Sequence, residues 1–222
     1  MSNTILEQIG KKPKNPINYN VTLSDEQKVA KASILEHPYN FVTGEAGSGK
    51  TLLAVQIALD CIFSGYSTRM IITRPSVSTE DNGFLPGTLE EKLEPWLVPI
   101  VSNIKKVYPH QVKIDKMRED EVIEIVSLSH FRGRTFEDAI CIVDEFQNLT
   151  KAQLSMVLSR LGKNSIMILT GDSRQIDLKY TQDSATHEIP KLVGSSYVNV
   201  VKLLENHRNE AVSEILKLLH EY

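Results

Sequence analysis

The chain has 222 residues, with 25 basic against 28 acidic side chains, a formal charge of -3 and 41% hydrophobic content. That length and composition fit one well-buried globular unit and exclude a histone-like polycation, so any nucleic-acid contact has to be focused on a local patch. No run approaches the roughly 18 to 20 apolar residues of a membrane helix, and Met1 to Asn20 lack the apolar core of a signal peptide, so a cytoplasmic protein without a membrane partner is expected. Cys61 and Cys141 lie in apolar surroundings and outside any CxxC pair, which points to packing and not to a disulfide or zinc site.

Residues 1–20 carry Lys11, Lys12, Pro13, Lys14 and Pro16 with few apolar groups and read as a polar arm outside the core; 21–222 read as one domain. Ser24 to Gln27 form a capping box that starts a helix running to about Glu36. An apolar run at 39–43 leads into a Gly-rich loop. Leu53, Ile57, Ala58 and Cys61 then recur at helical spacing until Gly65. Further runs suited to buried parallel strands fall at 70–73, 122–126, 139–143, 165–170 and 198–203. Thr150 to Gln153 form a second capping box, and Val212, Ile215, Leu216 and Leu219 mark a closing amphipathic helix. Strands alternating with helices predict an α/β fold, a parallel sheet covered on both faces.

Gly44-Glu45-Ala46-Gly47-Ser48-Gly49-Lys50-Thr51 fits GxxxxGK[ST], in which glycines let backbone amides wrap an anion at the positive end of a helix. This predicts a P-loop for a nucleoside triphosphate, with Lys50 reaching the β- and γ-phosphates and the Thr51 hydroxyl on Mg²⁺. The run at 139–143 ends in Asp144 and Glu145. Asp144 suits the metal, and Glu145 suits the group that activates a water. Thr170-Gly171-Asp172-Ser173-Arg174-Gln175 is expected on the same rim, with Gln175 facing the γ-phosphate or the water and Asp172 bracing the metal or shaping a polar turn. The six histidines are scattered without metal-ligand spacing.

With these motifs in this order the chain resembles the PhoH-like ATPases, which are similar to the first RecA-like half of superfamily 1 helicases. The resemblance covers residues 24–222 and rests on the P-loop, on Thr73-Arg74-Pro75-Ser76-Val77, on Gly83-Phe84-Leu85-Pro86-Gly87 with Glu91-Lys92, on Arg132-Gly133-Arg134-Thr135, on Val143 to Asn148 and on Thr170 to Leu178. It implies ATP binding and hydrolysis with Mg²⁺, a homo-oligomeric and often hexameric ring with composite ATP sites, and a link to single-stranded RNA or DNA. For a phage relative the location would be the host cytoplasm. Phe146 stands where the family usually has Ala, and Glu45 to Gly49 depart from its usual Pro-Ala-Gly-Thr-Gly; neither change removes a catalytic group. The chain ends soon after the core, without a second RecA-like lobe, so the resemblance implies that a neighbouring subunit supplies the other wall of the cleft and a cationic finger.

By the same resemblance Gln27 either reads adenine or serves only the capping box. Arg208 is expected as a sensor of the γ-phosphate in trans or as a surface ion pair. Arg132 and Arg134, flanking a glycine, are expected on phosphates or in a solvated loop, and Arg74 on nucleic acid or bracing the Gly83 to Gly87 loop. Trp96 and Phe84 either stack bases or pack between elements. A nucleotide-switched assembly protein is the alternative function. A small-molecule kinase is disfavoured, because the two acids suit water activation and no acceptor-binding lid motif is visible.

Overall fold

The computed structural model describes residues 19–75 and 98–209 in full, the backbone of 89–97, and residues 211, 212, 214, 215 and 218. The expected arm therefore lies outside the described residues except for Tyr19 and Asn20. So do Ser76, Val77, the Gly83 to Gly87 loop with Phe84, the side chains of Glu91, Lys92 and Trp96, and Leu216 and Leu219 of the closing helix.

Six strands, β1 (Tyr39–Gly44), β2 (Arg69–Thr73), β3 (Ile123–Ile125), β4 (Ala139–Asp144), β5 (Ile166–Gly171) and β6 (Val198–Leu203), form one parallel sheet in the order β3-β2-β4-β5-β1-β6. These are the apolar runs read from the sequence. Successive side chains point to opposite faces, so a strand buried on both sides has no polar face to show. Val42, Met70, Ile72, Ile140, Ile142 and Ile168 pack on one face, under helices α1 (Asp25–Leu35), α2 (Lys50–Phe63), α3 (Leu89–Val107) and α4 (Gln111–Glu119). Their neighbours Phe41, Ile71, Cys141, Val143, Met167 and Leu169 pack on the other, against α5 (Leu128–Phe131) and α6 (Lys151–Leu158). A short α7 (Ile189–Leu192) precedes β6. Both cysteines are fully buried, one in each layer, and burial pushes both thiols up to about 12.

Both capping boxes are formed. The Gln27 amide N–H donates to Ser24 Oγ at 3.3 Å and the Ser24 N–H to Gln27 Oε1 at 3.1 Å; Thr150 and Gln153 repeat the exchange at 3.3 and 2.8 Å. The end of the arm differs from expectation. Tyr19 packs against the core and its hydroxyl donates to Asp60 Oδ1 at 2.6 Å, while the Asn20 N–H donates to Val107 O at 3.0 Å. Asp60 also pairs with Lys31 of α1, so one carboxylate fastens the lead-in, α1 and α2 together.

Phe146, the departure from the family pattern, is fully buried and meets Phe41 edge to face with centroids 5.5 Å apart. Removing its ring leaves a cavity in a layer that cannot collapse around a rigid sheet. Phe146→Ala is expected to destabilise the fold by about 3–5 kcal/mol, measured as a shift of the urea unfolding midpoint at unchanged slope.

Candidate active site

Parallel registers bring four strand ends to one rim: Asp144 lies beside Thr170, Thr43 beside Gly171, and Gly44 beside Leu203. Loops leaving β1, β4, β5 and β6 therefore open into the same crevice, where open α/β sheets hold ligands.

The turn after β1 runs into α2 through Gly49, whose left-handed φ of 80° starts the helix without a side-chain cap on its free amides. Ser48 Oγ, in the middle of the turn, is buried and has no hydrogen-bond partner. An orphaned hydroxyl and uncapped amides at a helix N-terminus fit an anion such as a polyphosphate. Lys50 folds back over the turn, its Nζ donating to Gly44 O at 2.8 Å and to Glu45 O at 2.9 Å. Burial lowers the Lys50 ammonium from its ordinary value, against the opposing pull of Asp172, Glu145 and Asp144. Those three acids thus sit within electrostatic reach of the one lysine.

Asp144, 4% exposed, ends β4. Its Oδ1 accepts from Thr51 Oγ1 at 2.8 Å and from Thr170 Oγ1 at 2.7 Å. An all-oxygen pair formed by Thr51 and Asp144 fits Mg²⁺, which takes few protein ligands and fills its octahedron with phosphate oxygens and water. Glu145 follows with φ 56° and ψ 44°, a left-handed conformation that costs a non-glycine residue about 1–2 kcal/mol and turns the chain sharply off the strand. Its carboxylate accepts from Gln147 Nε2 at 2.7 Å. Arg74, at the end of β2, faces both acids, 3.8 Å from Asp144 Oδ2 and 3.7 Å from Glu145 Oε1.

Asp172 Oδ1 accepts from the Arg174 N–H at 3.0 Å, and its Oδ2 from Gln175 Nε2 at 2.9 Å, so its carboxylate shapes its own turn. Arg174 spans from this turn to the P-loop, donating to Glu45 Oε1 at 2.8 Å. Burial pushes the Asp172 carboxyl up, but the Arg174 amide and guanidinium and the Gln175 amide outweigh it and hold the group below the usual carboxylate value. The ionised form is therefore the one the fold favours. Its contribution is complete above about pH 4 and is lost as the pH falls through the lowered value. The stability gap between the parent and Asp172→Asn should accordingly narrow from pH 6 to pH 3, followed by thermal unfolding.

The stretch after β6 lies across the P-loop of its own chain. Glu26 accepts the backbone N–H groups of Leu204 and Glu205 at 2.7 and 3.0 Å, the His207 N–H donates to Gly47 O at 3.1 Å, and Asn206 Nδ2 reaches Ala46 O at 3.5 Å. Gly47, at φ 96°, is needed here, because a Cβ would run into the Arg208 stem. Arg208, expected to act in trans, thus rests on its own loop. Gln27 closes its capping box and also donates from Nε2 to Ser48 O at 3.1 Å, joining α1 to the P-loop. Arg134 pairs with Glu124 at 2.7 Å and lies over the Phe136 ring, 4.8 Å from its centroid. Arg132 is exposed and forms no ion pair among the described residues.

The family described as PhoH-like protein matches residues 21–220. The chain belongs to the PhoH-like protein family. It is 39% identical over 186 residues to a PhoH-like protein of Mycobacterium leprae (82% of this chain, 53% of that one) and 44% identical over 153 residues to one of Synechocystis (68% and 46%). The chain thus spans about half the length of the curated relatives it matches. Among solved structures, the Pif1 helicase of Candida albicans superposes with a TM-score of 0.50 at 16% identity, covering 90% of this chain and 44% of that one. The fold is that of a RecA-like P-loop NTPase. Among the described residues no helix is long and apolar enough to cross a membrane.

Two site residues escaped the sequence reading of this PhoH-like chain. Thr170 heads the 170–175 rim element without a role of its own in the sequence, yet its hydroxyl shares Asp144 Oδ1 with Thr51. Gln147 was read only as part of a motif. The signal available for it was a polar side chain two residues past the acids in a stretch otherwise bound for the core.

Proposed function

We propose that this chain binds ATP with Mg²⁺ and hydrolyses it. The observation that carries the reading is Asp144 Oδ1, hydrogen-bonded by a hydroxyl from the helix behind the P-loop and adjacent to the Glu145 carboxylate. In this reading the amides of Gly44 to Thr51 and the Lys50 ammonium hold the phosphates. Glu145 takes a proton from a water whose oxygen bonds to the γ-phosphorus, while the bond from that phosphorus to the β,γ-bridging oxygen breaks and the electron pair leaves with ADP. Mg²⁺, held by Thr51 and Asp144, would neutralise charge on the β- and γ-oxygens. Gln175 lines the γ-phosphate side, and Gln27 the base side. Arg174 and Arg208, both packed against the P-loop, join Lys50 as cations for the charge that develops.

The reading extends to a homo-oligomer, a hexameric ring acting on single-stranded RNA or DNA. Val212, Ile215 and Leu218, spaced three apart and 46, 57 and 53% exposed, support a subunit contact along the last helix. Exposed Arg132, with Arg74 at the mouth of the crevice, supports contact with a phosphate backbone. The test is the ATPase rate across a panel of RNA and DNA, on protein sized by light scattering in the same buffer. Stimulation that fades steeply with salt is expected. A rate and a binding signal indifferent to every strand would replace nucleic-acid action by the nucleotide-switched assembly reading, whose mark is a change of size with an ATP analogue. Absence of any hydrolysis would remove both.

A further inference from the structure

Gln147 is 1% exposed, yet its whole amide is engaged at the rim. Nε2 donates to Glu145 Oε2 at 2.7 Å and to Gln175 O at 3.0 Å, and Oε1 accepts from the Asp172 N–H at 3.2 Å. These partners fix which end is which: the reverse orientation would set Oε1 against a carboxylate and a carbonyl and NH₂ against an N–H. The backbone of Gln147 is held as well, its carbonyl accepting from Ser184 Oγ at 2.6 Å. The space it fills exists because residue 171 is glycine. A Cβ there would lie 2.5 Å from Gln147 Oε1 and 2.8 Å from the Phe146 ring.

Glu145 is otherwise lightly held. Its side chain is 30% exposed, its backbone is left-handed, and its other oxygen faces Arg74 across 3.7 Å. Without a donor on Oε2, the carboxylate is drawn toward the guanidinium and away from a water over the P-loop. The far end of the same amide grips the turn of Asp172 to Gln175, which Arg174 ties to Glu45. One buried side chain therefore joins the acid to the element that borders the γ-phosphate.

We propose that Gln147 is a positioning residue that orients the Glu145 carboxylate for attack by water and transmits to it the placement of the 172–175 turn. This rests on the hydrolysis reading above, and acts through Glu145 without touching substrate.

Gln147→Met keeps the shape and removes the donor, and Gln147→Glu places a second carboxyl beside the first. Steady-state hydrolysis, nucleotide-analogue affinity and thermal unfolding are measured for both, beside the parent and Glu145→Gln. For Gln147→Met, kcat is expected to fall about 10²-fold with affinity and KM within about twofold, as a misplaced reacting group does. For Gln147→Glu, which keeps the length and loses the N–H on Glu145 Oε2, kcat is likewise expected to fall about 10²-fold with affinity within about twofold. An unchanged kcat in Gln147→Met, or a loss appearing wholly in KM, overturns the proposal. If Gln147→Met does not fold, an unchanged kcat in Gln147→Glu overturns it. A parent chain that binds nucleotide and never turns it over sinks the hydrolysis reading instead, whereas an inactive Glu145→Gln beside a fully active Gln147→Met sinks only the inference.

Discussion

Lys50→Ala is expected to weaken ATP-analogue binding by about two to three orders of magnitude, the range for truncating one partner of a charge-assisted, largely buried contact. The ammonium lies over the P-loop, its charge disfavoured by burial and supported by three carboxylates. A triphosphate gives that cation anionic acceptors in place of neutral carbonyls, which is why the effect falls on the bound state. The free protein loses only two hydrogen bonds to backbone carbonyls at the loop surface, so its thermal midpoint should move little. Calorimetric titration beside a melting curve separates the two effects. Binding within threefold of the parent would take the phosphates away from this turn.

Glu145→Gln is expected to leave binding intact while turnover drops by about 10² to 10⁴, the usual worth of a positioned base. The substitution is nearly isosteric. The new side-chain oxygen still accepts from Gln147, and the left-handed backbone is unaffected by the change. What disappears is a basic lone pair and one negative charge near the phosphates, so nucleotide affinity should hold or rise. Single-turnover measurements distinguish slow chemistry from slow release, and unaltered single-turnover chemistry would assign proton transfer to another group.

Much of this layout could be read in the residues. The central strands are legible because burial on both faces demands an uninterrupted apolar run, as at 139–143 and 165–170, and both capped helix starts because the capping box is a local exchange between residues three apart. The glycine-rich turn was legible for the same reason: its chemistry lies within eight consecutive positions. What stayed hidden depends on partners far apart in the chain. Nothing in residues 124 and 134 announces that they pair across a loop. The closeness of Arg208 to Gly47 arises only when β6 pairs with β1, a choice of strand order that periodicity does not encode. Gln147 reaches partners 25 and 28 positions away, and Tyr19 one 41 away.

The fastening of residues 204–208 across the P-loop has a thermodynamic consequence. Ala46 O, Gly47 O and Ser48 O are each engaged by Asn206, His207 and Gln27, three contacts that restrain the backbone of the turn. An incoming polyanion therefore meets a restrained receptor and forfeits little chain entropy on docking, so its affinity reflects the gross strength of the contacts, with small deduction for ordering the receptor.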